Sequence, residues 1–381
     1  MIPFVNLPAQ RKAYQLELEN AEKQVLDSGC YIGGPVVRQL EGELSRFLES
    51  EGIGPEKAPE KAPEVAAPEA PECISCASGT DALSLALEAL EVKPGDEVIV
   101  PDFTFIAPAE CARRLGATVR FADINPETLQ ISAESVRNLV GPKTKGVIAV
   151  DLFGQCAPYR ELREICQKNS LWLLEDSAQA FGATQDGRAA CTFGDIAITS
   201  FYPTKPLGCY GDGGALFTRN EKLATTIREL ANHGSAERYL HKRLGYNSRL
   251  DALQAAILLV KLKHFKDELR VREKNATAYD QFFQDFARKV GYTIQPIKIA
   301  AGNTSTYAQY TLLVENREHF LTLLEKAEIP YCIHYPMPLH QQPCFADKLT
   351  KRPITEDVVK KVVSLPVCAW TDVESIINKL G

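Results

Sequence analysis

Between residues 72 and 217, short apolar runs recur: ECISCAS, DEVIVPD, TVRFADI, GVIAVDLFG, LWLLEDSA and AITSFYP. Segments of helical period such as SGTDALSLALEAL, ESVRNLV and YRELREICQKN separate them. That alternation predicts βαβ units, hence an α/β fold with a mainly parallel central sheet and helices on both faces. Ligands of such folds sit beyond the carboxyl ends of the strands. The residues before position 51 read as helical, with a turn at SGCYIGGP. After Phe217 the period is helical again. EKLATTIRELANHG is amphipathic, and the stretch from SRLDALQ to FFQDF predicts one very long helix or two joined. TYAQYTLLV, REHFLTLLEKAEI, YCIHYP and VESIINKL read as a smaller α/β domain. The expected division is a large domain over 1–258 and a small C-terminal one over 259–381.

One stretch breaks the pattern. Residues 54–72, GPEKAPEKAPEVAAPEAPE, form a Pro-Glu-Ala-Lys near-repeat with no apolar period, expected to be a solvated surface insertion without a catalytic role. Composition narrows the function further. A net charge of -6 argues against nucleic acid as the main partner, though not against a local basic pocket. The N-terminus lacks an apolar signal core and no stretch is long and apolar enough to span a bilayer, so a cytoplasmic location is expected. The 11 cysteines lie mostly inside apolar runs. Cys73 and Cys76 form a CxxC, but no second ligand pair accompanies them, and positions three apart on a strand face opposite sides. Buried thiols acting as small hydrophobes are expected, not a metal site.

The candidate chemistry centres on SFYPTKPLGCYGDGG, residues 200–214. Its one lysine, Lys205, stands among aromatics and prolines, and GDGG permits close backbone approach. A lysine amine in a partly desolvated pocket loses charge readily and forms a Schiff base with a carbonyl. Asp176 closes the apolar strand WLLED, where a carboxylate can partner a pyridinium nitrogen. Lysine plus aspartate is the pair that pyridoxal 5'-phosphate (PLP) requires of a protein. Ser78-Gly79-Thr80 stands where a strand turns into a helix, whose free N–H groups form an anion site. Taken alone, SGT is an ordinary N-cap; beside Ser200, Asp176 and Lys205 it reads as a phosphate cradle. Phe105 follows another strand and could stack on a flat ring.

DFTFIAPAE, EDSAQAFGA, SFYPTKPLGCYGDGG and GYNSRLDALQAAIL resemble the DegT-type nucleotide-sugar aminotransferases, PLP enzymes with the aspartate-aminotransferase type of fold (fold type I). The resemblance covers nearly the whole chain apart from the insertion. Within the family, CISCASGTDAL, TKPLGCYGDGG, YAQYTLLV and IHYPMPLHQQP look nearest to enzymes that aminate UDP-2-acetamido-3-oxo-glucuronic acid for bacterial surface polysaccharides such as O-antigen. The resemblance implies that Lys205 bonds PLP covalently, that Asp176 pairs with the ring nitrogen, that Gln179 lies near the ring's polar edge and that Phe105 stacks on its face. It implies that Gly79, Thr80 and Ser200 hold the phosphate with Asn247 of a neighbouring subunit, in a homodimer with shared active sites. Arg249, His334 and Tyr335 would face the sugar nucleotide, and L-glutamate would be the amino donor. Arg249 reads equally well as a salt-bridge residue at a helix start, and His334 as a satisfied core histidine.

The chain also departs from the family pattern. Pro108 stands where relatives often carry a small hydroxyl residue, and SLPVCAW lacks the histidine or proline expected after SLP. Two other readings compete: a sugar dehydratase, in which a histidine typically replaces the lysine, and a regulatory protein on the same fold. Lys205 argues against the first. Lysine, aspartate and phosphate turn together argue against the second.

Overall fold

The computed structural model describes residues 2–51, 70–345 and 351–381. Positions 54–69 of the Pro-Glu-rich stretch lie outside the described residues. Among those described, seven strands form one sheet in the order Glu72–Cys76, Gly214–Thr218, Ile196–Ser200, Trp172–Asp176, Thr144–Val150, Glu97–Pro101 and Thr118–Ala122. All adjacent pairs are parallel except the two made by Gly214–Thr218, which runs against both neighbours. The expected α/β architecture, with its mainly parallel sheet, is the observed one.

Side chains alternate across this sheet, as the pleat requires. Ile74, Cys76, Val98, Val100, Ile148, Leu174 and Ile198 enter one core beneath the helices Gly79–Ala89, Ala107–Arg114 and Glu221–Ala231. Ile99, Val147, Ala149 and Leu173 enter a second core beneath Ala133–Leu139 and Tyr159–Lys168. Cys73, Ala197 and Phe217 face a third, against the helix Gly34–Glu51 and the start of a long helix. Cys73 and Cys76 therefore lie on opposite faces, each buried as a small apolar group. Both thiols are pushed up in pKa, first by burial.

The long segment after Arg249 is one helix, Ala252–Val290, of 39 residues. Its first half packs on the sheet through Ala255, Leu258 and Phe265, and its second half carries Tyr279, Phe283 and Phe286 into a separate core. That core covers an antiparallel sheet of Ile294–Pro296, Tyr310–Val314 and Val362–Leu365. The expected boundary at 258/259 falls inside this continuous helix. Aromatic residues four apart on it stack: Tyr279 on Phe283 at 6.0 Å and Phe282 on Phe286 at 5.0 Å between centroids.

Candidate active site

The chemistry-bearing residues gather where the fold places ligands, beyond the carboxyl ends of parallel strands. Asp176 is the last residue of its strand, Ser200 the last of the next, and Ser78 and Phe105 follow two others. Asp176 is 4% exposed and accepts the backbone N–H of Ala178 at 3.0 Å. Burial lifts its pKa to about 6, while the Ala178 hydrogen bond and the Lys205 charge pull it down. Lys205 lies in a turn fixed by its own N–H donating to Tyr202 O at 2.9 Å. Desolvation lowers its pKa and Asp176 opposes the shift. The side chain keeps some exposed surface in the single chain. It also borders a small crevice with Asn6, Glu268, Arg272 and Trp370.

Ser78 caps the helix Gly79–Ala89, its Oγ accepting from Asp81 N at 3.0 Å. The first N–H groups of that helix have no intrahelical partner and aim beyond the strand ends. Glycine is required here by proximity. A Cβ on Gly79 would lie 2.7 Å from Ser200 Cβ, and one on Gly214 would lie 2.5 Å from the Ser78 carbonyl group. The GDGG glycines thus let backbone approach backbone, drawing Gly214 onto the Ser78–Gly79 turn so that Ser200 borders it. Ser248 Oγ accepts from Ala77 N at 3.2 Å, which fixes the Asn247–Arg249 turn near the same strand end, with Asn247 and Arg249 exposed.

Gln179 is oriented through its side-chain oxygen, which accepts from Phe153 N at 2.6 Å, while its amide lies 3.5 Å from Tyr335 Oη. Tyr335 packs its ring edge-on to Phe103 at 6.1 Å and tilted to Phe105 at 6.4 Å. Phe105 is 55% exposed, so its ring can receive a flat partner. His334 Nδ1 sits 3.1 Å from Ser364 Oγ, and its pKa is lowered by burial and then by the Lys205 charge. Pro108 lies in the first turn of the helix Ala107–Arg114, where a missing N–H costs nothing.

Several residues the sequence reading did not single out support this floor. His340, which is buried, sits with Nδ1 2.6 Å from Asp102 Oδ2, and its backbone N–H donates to Asp102 Oδ1 at 2.8 Å. This ties the C-terminal segment to the loop that carries Phe105. Glu175 and Ser177 flank Asp176 and join Asp151 in a buried cluster. A carboxylate inside an apolar strand, as in WLLED and IAVDL, is the signal that could have revealed them. The SLPVCAW segment is held by Asn275, whose side-chain amide donates to Cys368 O at 3.1 Å, and Tyr279, whose hydroxyl donates to Pro366 O at 2.9 Å. It also brings Trp370 to the crevice beside Lys205.

The residues fit PLP. A buried carboxylate faces a desolvated lysine, and a helix N-terminus that only glycine permits opens beside Ser200. Fold and site together define a PLP-dependent aminotransferase on an open α/β sheet. The chain belongs to the DegT/DnrJ/EryC1/StrS aminotransferase family, whose sequence model matches residues 66–380. It is similar to the UDP-2-acetamido-2-deoxy-3-oxo-D-glucuronate aminotransferase of Pseudomonas aeruginosa, with 42% identity over 99% of this chain and 98% of that one. Among solved structures it resembles Streptomyces venezuelae DesV in complex with a ketimine intermediate. The TM-score is 0.89, with 32% identity over 100% of this chain and 97% of that one. It also resembles NtdA of Bacillus subtilis with bound cofactor PMP, at TM-score 0.85 and 28% identity, covering 100% and 84% of the two chains. Among the described residues no helix is long and apolar enough to cross a membrane.

Proposed function

We propose that this enzyme transfers an amino group from L-glutamate to the 3-keto group of UDP-2-acetamido-3-oxo-glucuronic acid, in the cytoplasm and in the service of surface-polysaccharide synthesis. The observation that carries the reading is buried Asp176 at a strand end, interacting with desolvated Lys205 in the loop that follows the adjoining strand. The 42% identity to a relative of that printed activity supports this choice of substrate. PLP, when bound, takes up the amino group and accepts the electrons released at the donor's Cα.

The chain's own residues do the rest. Lys205 Nζ, its charged form disfavoured by burial, is nucleophile and then proton carrier at the donor's Cα. Asp176 presents a carboxylate to the ring nitrogen and holds a proton there. Gly79, Thr80 and Ser200 hold the phosphate, joined by Asn247 of a second subunit. Phe105 would cover one face of the cofactor ring and Gln179 would meet its polar edge. Arg249, His334 and Tyr335 receive the sugar nucleotide, with Arg249 meeting the C6 carboxylate. We further infer that residues 1–258 form the cofactor-binding domain and 259–381 the small domain, linked by the long helix.

Turnover with glutamate and a panel of 3-keto and 4-keto UDP- and dTDP-sugars tests this. The 3-keto UDP-uronate is expected to be the best substrate. Replacing Arg249 by alanine should weaken that substrate by roughly 1.5–3 kcal/mol, the worth of a charge-assisted contact. Equal rates with the neutral C6-hydroxymethyl analogue would remove the uronate reading and leave a sugar aminotransferase of other specificity.

A further inference from the structure

Behind Asp176, on the far side of its strand, lies a cluster of three side chains that the proposed transamination does not use. Asp151, Glu175 and Ser177 are each 0% exposed. Ser177 Oγ lies 2.5 Å from Asp151 Oδ2 and 2.9 Å from Glu175 Oε1. A hydroxyl has one proton, so it can donate to only one of the two carboxyls. The other contact requires either a proton on that carboxyl or two oxygens repelling at hydrogen-bond distance.

The surroundings decide which carboxyl holds the proton. Glu175 is wrapped by the turn 191–194. Its Oε1 accepts Cys191 N at 2.5 Å, and its Oε2 accepts Phe193 N at 2.6 Å and Gly194 N at 3.0 Å. Burial raises the Glu175 pKa as well, but these three backbone donors over two oxygens pull it back down, as suits a carboxylate, and the Arg188 and Arg219 charges lie within electrostatic reach of it. Asp151 is served on one side only: Oδ1 accepts Ala157 N at 2.8 Å and Tyr159 Oη at 2.7 Å, while Oδ2 faces Ser177. The other titratable neighbours of Asp151 are Tyr159, Cys156 and Cys191, each held neutral by burial.

We propose that Asp151 is a neutral carboxylic acid that donates from Oδ2 to Ser177 Oγ, which in turn donates to ionised Glu175, and that this one-way chain positions Asp176. Burial and the Glu175 charge both act in the direction of a proton on Asp151. The positioning follows from the backbone. Glu175 and Ser177 flank Asp176 and point away from it, as strand alternation requires. Asp151 N donates to Asp176 O, and Ser177 N to Ile198 O, both at 2.9 Å. The turn that begins at Asp151 also carries Phe153, whose N–H orients Gln179. Fixing the chain therefore fixes the strand end that presents Asp176 and the residue assigned to the ring's polar edge.

Asparagine at position 151 reproduces the donor and acceptor pattern, with Nδ2 toward Ser177 and Oδ1 toward Ala157 and Tyr159. Alanine leaves Ser177 without its donor. The test is infrared difference spectroscopy of wild type against Asp151→Asn at pH 8 in D2O. The expected result is a protonated-carboxyl stretch in wild type that shifts on isotope labelling of aspartate carboxyl carbons and is missing from the variant. A band that follows glutamate labelling, or no band, overturns the proposal. Neither spectrum depends on any substrate assignment. The positioning role is read by PLP titration. Asp151→Ala should weaken binding roughly tenfold, the effect of one unmet buried polar group, and Asp151→Asn should restore it. An asparagine variant that binds PLP as weakly as the alanine variant, or roughly tenfold more weakly than wild type where Asp151→Ala does not fold, also overturns the proposal.

Discussion

At the scale of single residues, the site is a set of ionisable groups held away from their ordinary behaviour by burial. Asp176 is the clearest. Without cofactor its pKa stands at about 6 instead of 3.8, so the folded chain retains a proton there that the unfolded chain has lost. A raised carboxyl pKa gives stability that is complete below the unfolded value and lost as pH rises through the folded one. Between about pH 4 and pH 6 the cofactor-free protein should therefore lose up to roughly 3 kcal/mol from this group. Asp176→Asn removes that penalty. Thermal unfolding of the cofactor-free variant should match wild type near pH 3.5 and exceed it at pH 8. The same variant should keep some PLP and lose most turnover, because the ring nitrogen is no longer held protonated. An unchanged gap between the two proteins across that pH range would show that the carboxyl is not desolvated. Lys205→Ala should abolish transamination together with the visible absorbance of the lysine-bound cofactor.

At the scale of elements, the Ser78–Gly79 turn is a junction of three strand ends pressed together by missing side chains. Gly214 begins the strand that runs against its neighbours, and its Cα abuts the carbonyl of Ser78. A methyl group there meets backbone, which cannot rotate away. Gly214→Ala should lower stability by roughly 1–3 kcal/mol, the usual cost of overpacking, and weaken PLP more than it changes the KM of a saturating donor. Differential scanning fluorimetry with and without PLP separates the two effects. A variant with wild-type melting and wild-type PLP affinity would mean the junction is looser than the distances state. Gly211 serves as the contrast, since a Cβ there meets only the flexible end of Gln254, at 3.2 Å.

At the scale of the whole molecule, Asn247 and Arg249 are exposed at the start of the long helix, and the hydrophobic Tyr239, Leu240 and Leu244 are exposed in the segment before it. If those residues complete a second subunit's site, Lys205→Ala and Arg249→Ala homodimers are each nearly inactive. After free exchange about half the dimers are mixed, each with one intact site, so activity should return to about a quarter of wild type. Exchange confirmed by mass with no recovery would rule out shared sites.

What the sequence determined by itself is whatever depends on local period and local chemistry. The alternation of apolar runs from Glu72 to Phe217 specified a mainly parallel sheet, because βαβ crossovers accommodate it. Lys205, Asp176 and the Ser78-Gly79-Thr80 turn stood out because Asp176 closes an apolar strand, the turn follows another, and Lys205 lies in the loop after a third. Tertiary structure alone decided what lies between chain-distant groups. It set the strand order, including the reversed Gly214–Thr218, because hydrogen-bond partners are chosen by packing rather than by sequence separation. It made the span 252–290 a single helix, since one apolar stripe serves two cores in turn. It also joined Asp102 to His340 across 238 positions and Asp151 to Glu175 through Ser177. A buried carboxyl reveals its protonation only through the donors around it, and those donors come from segments that nothing but the fold brings together.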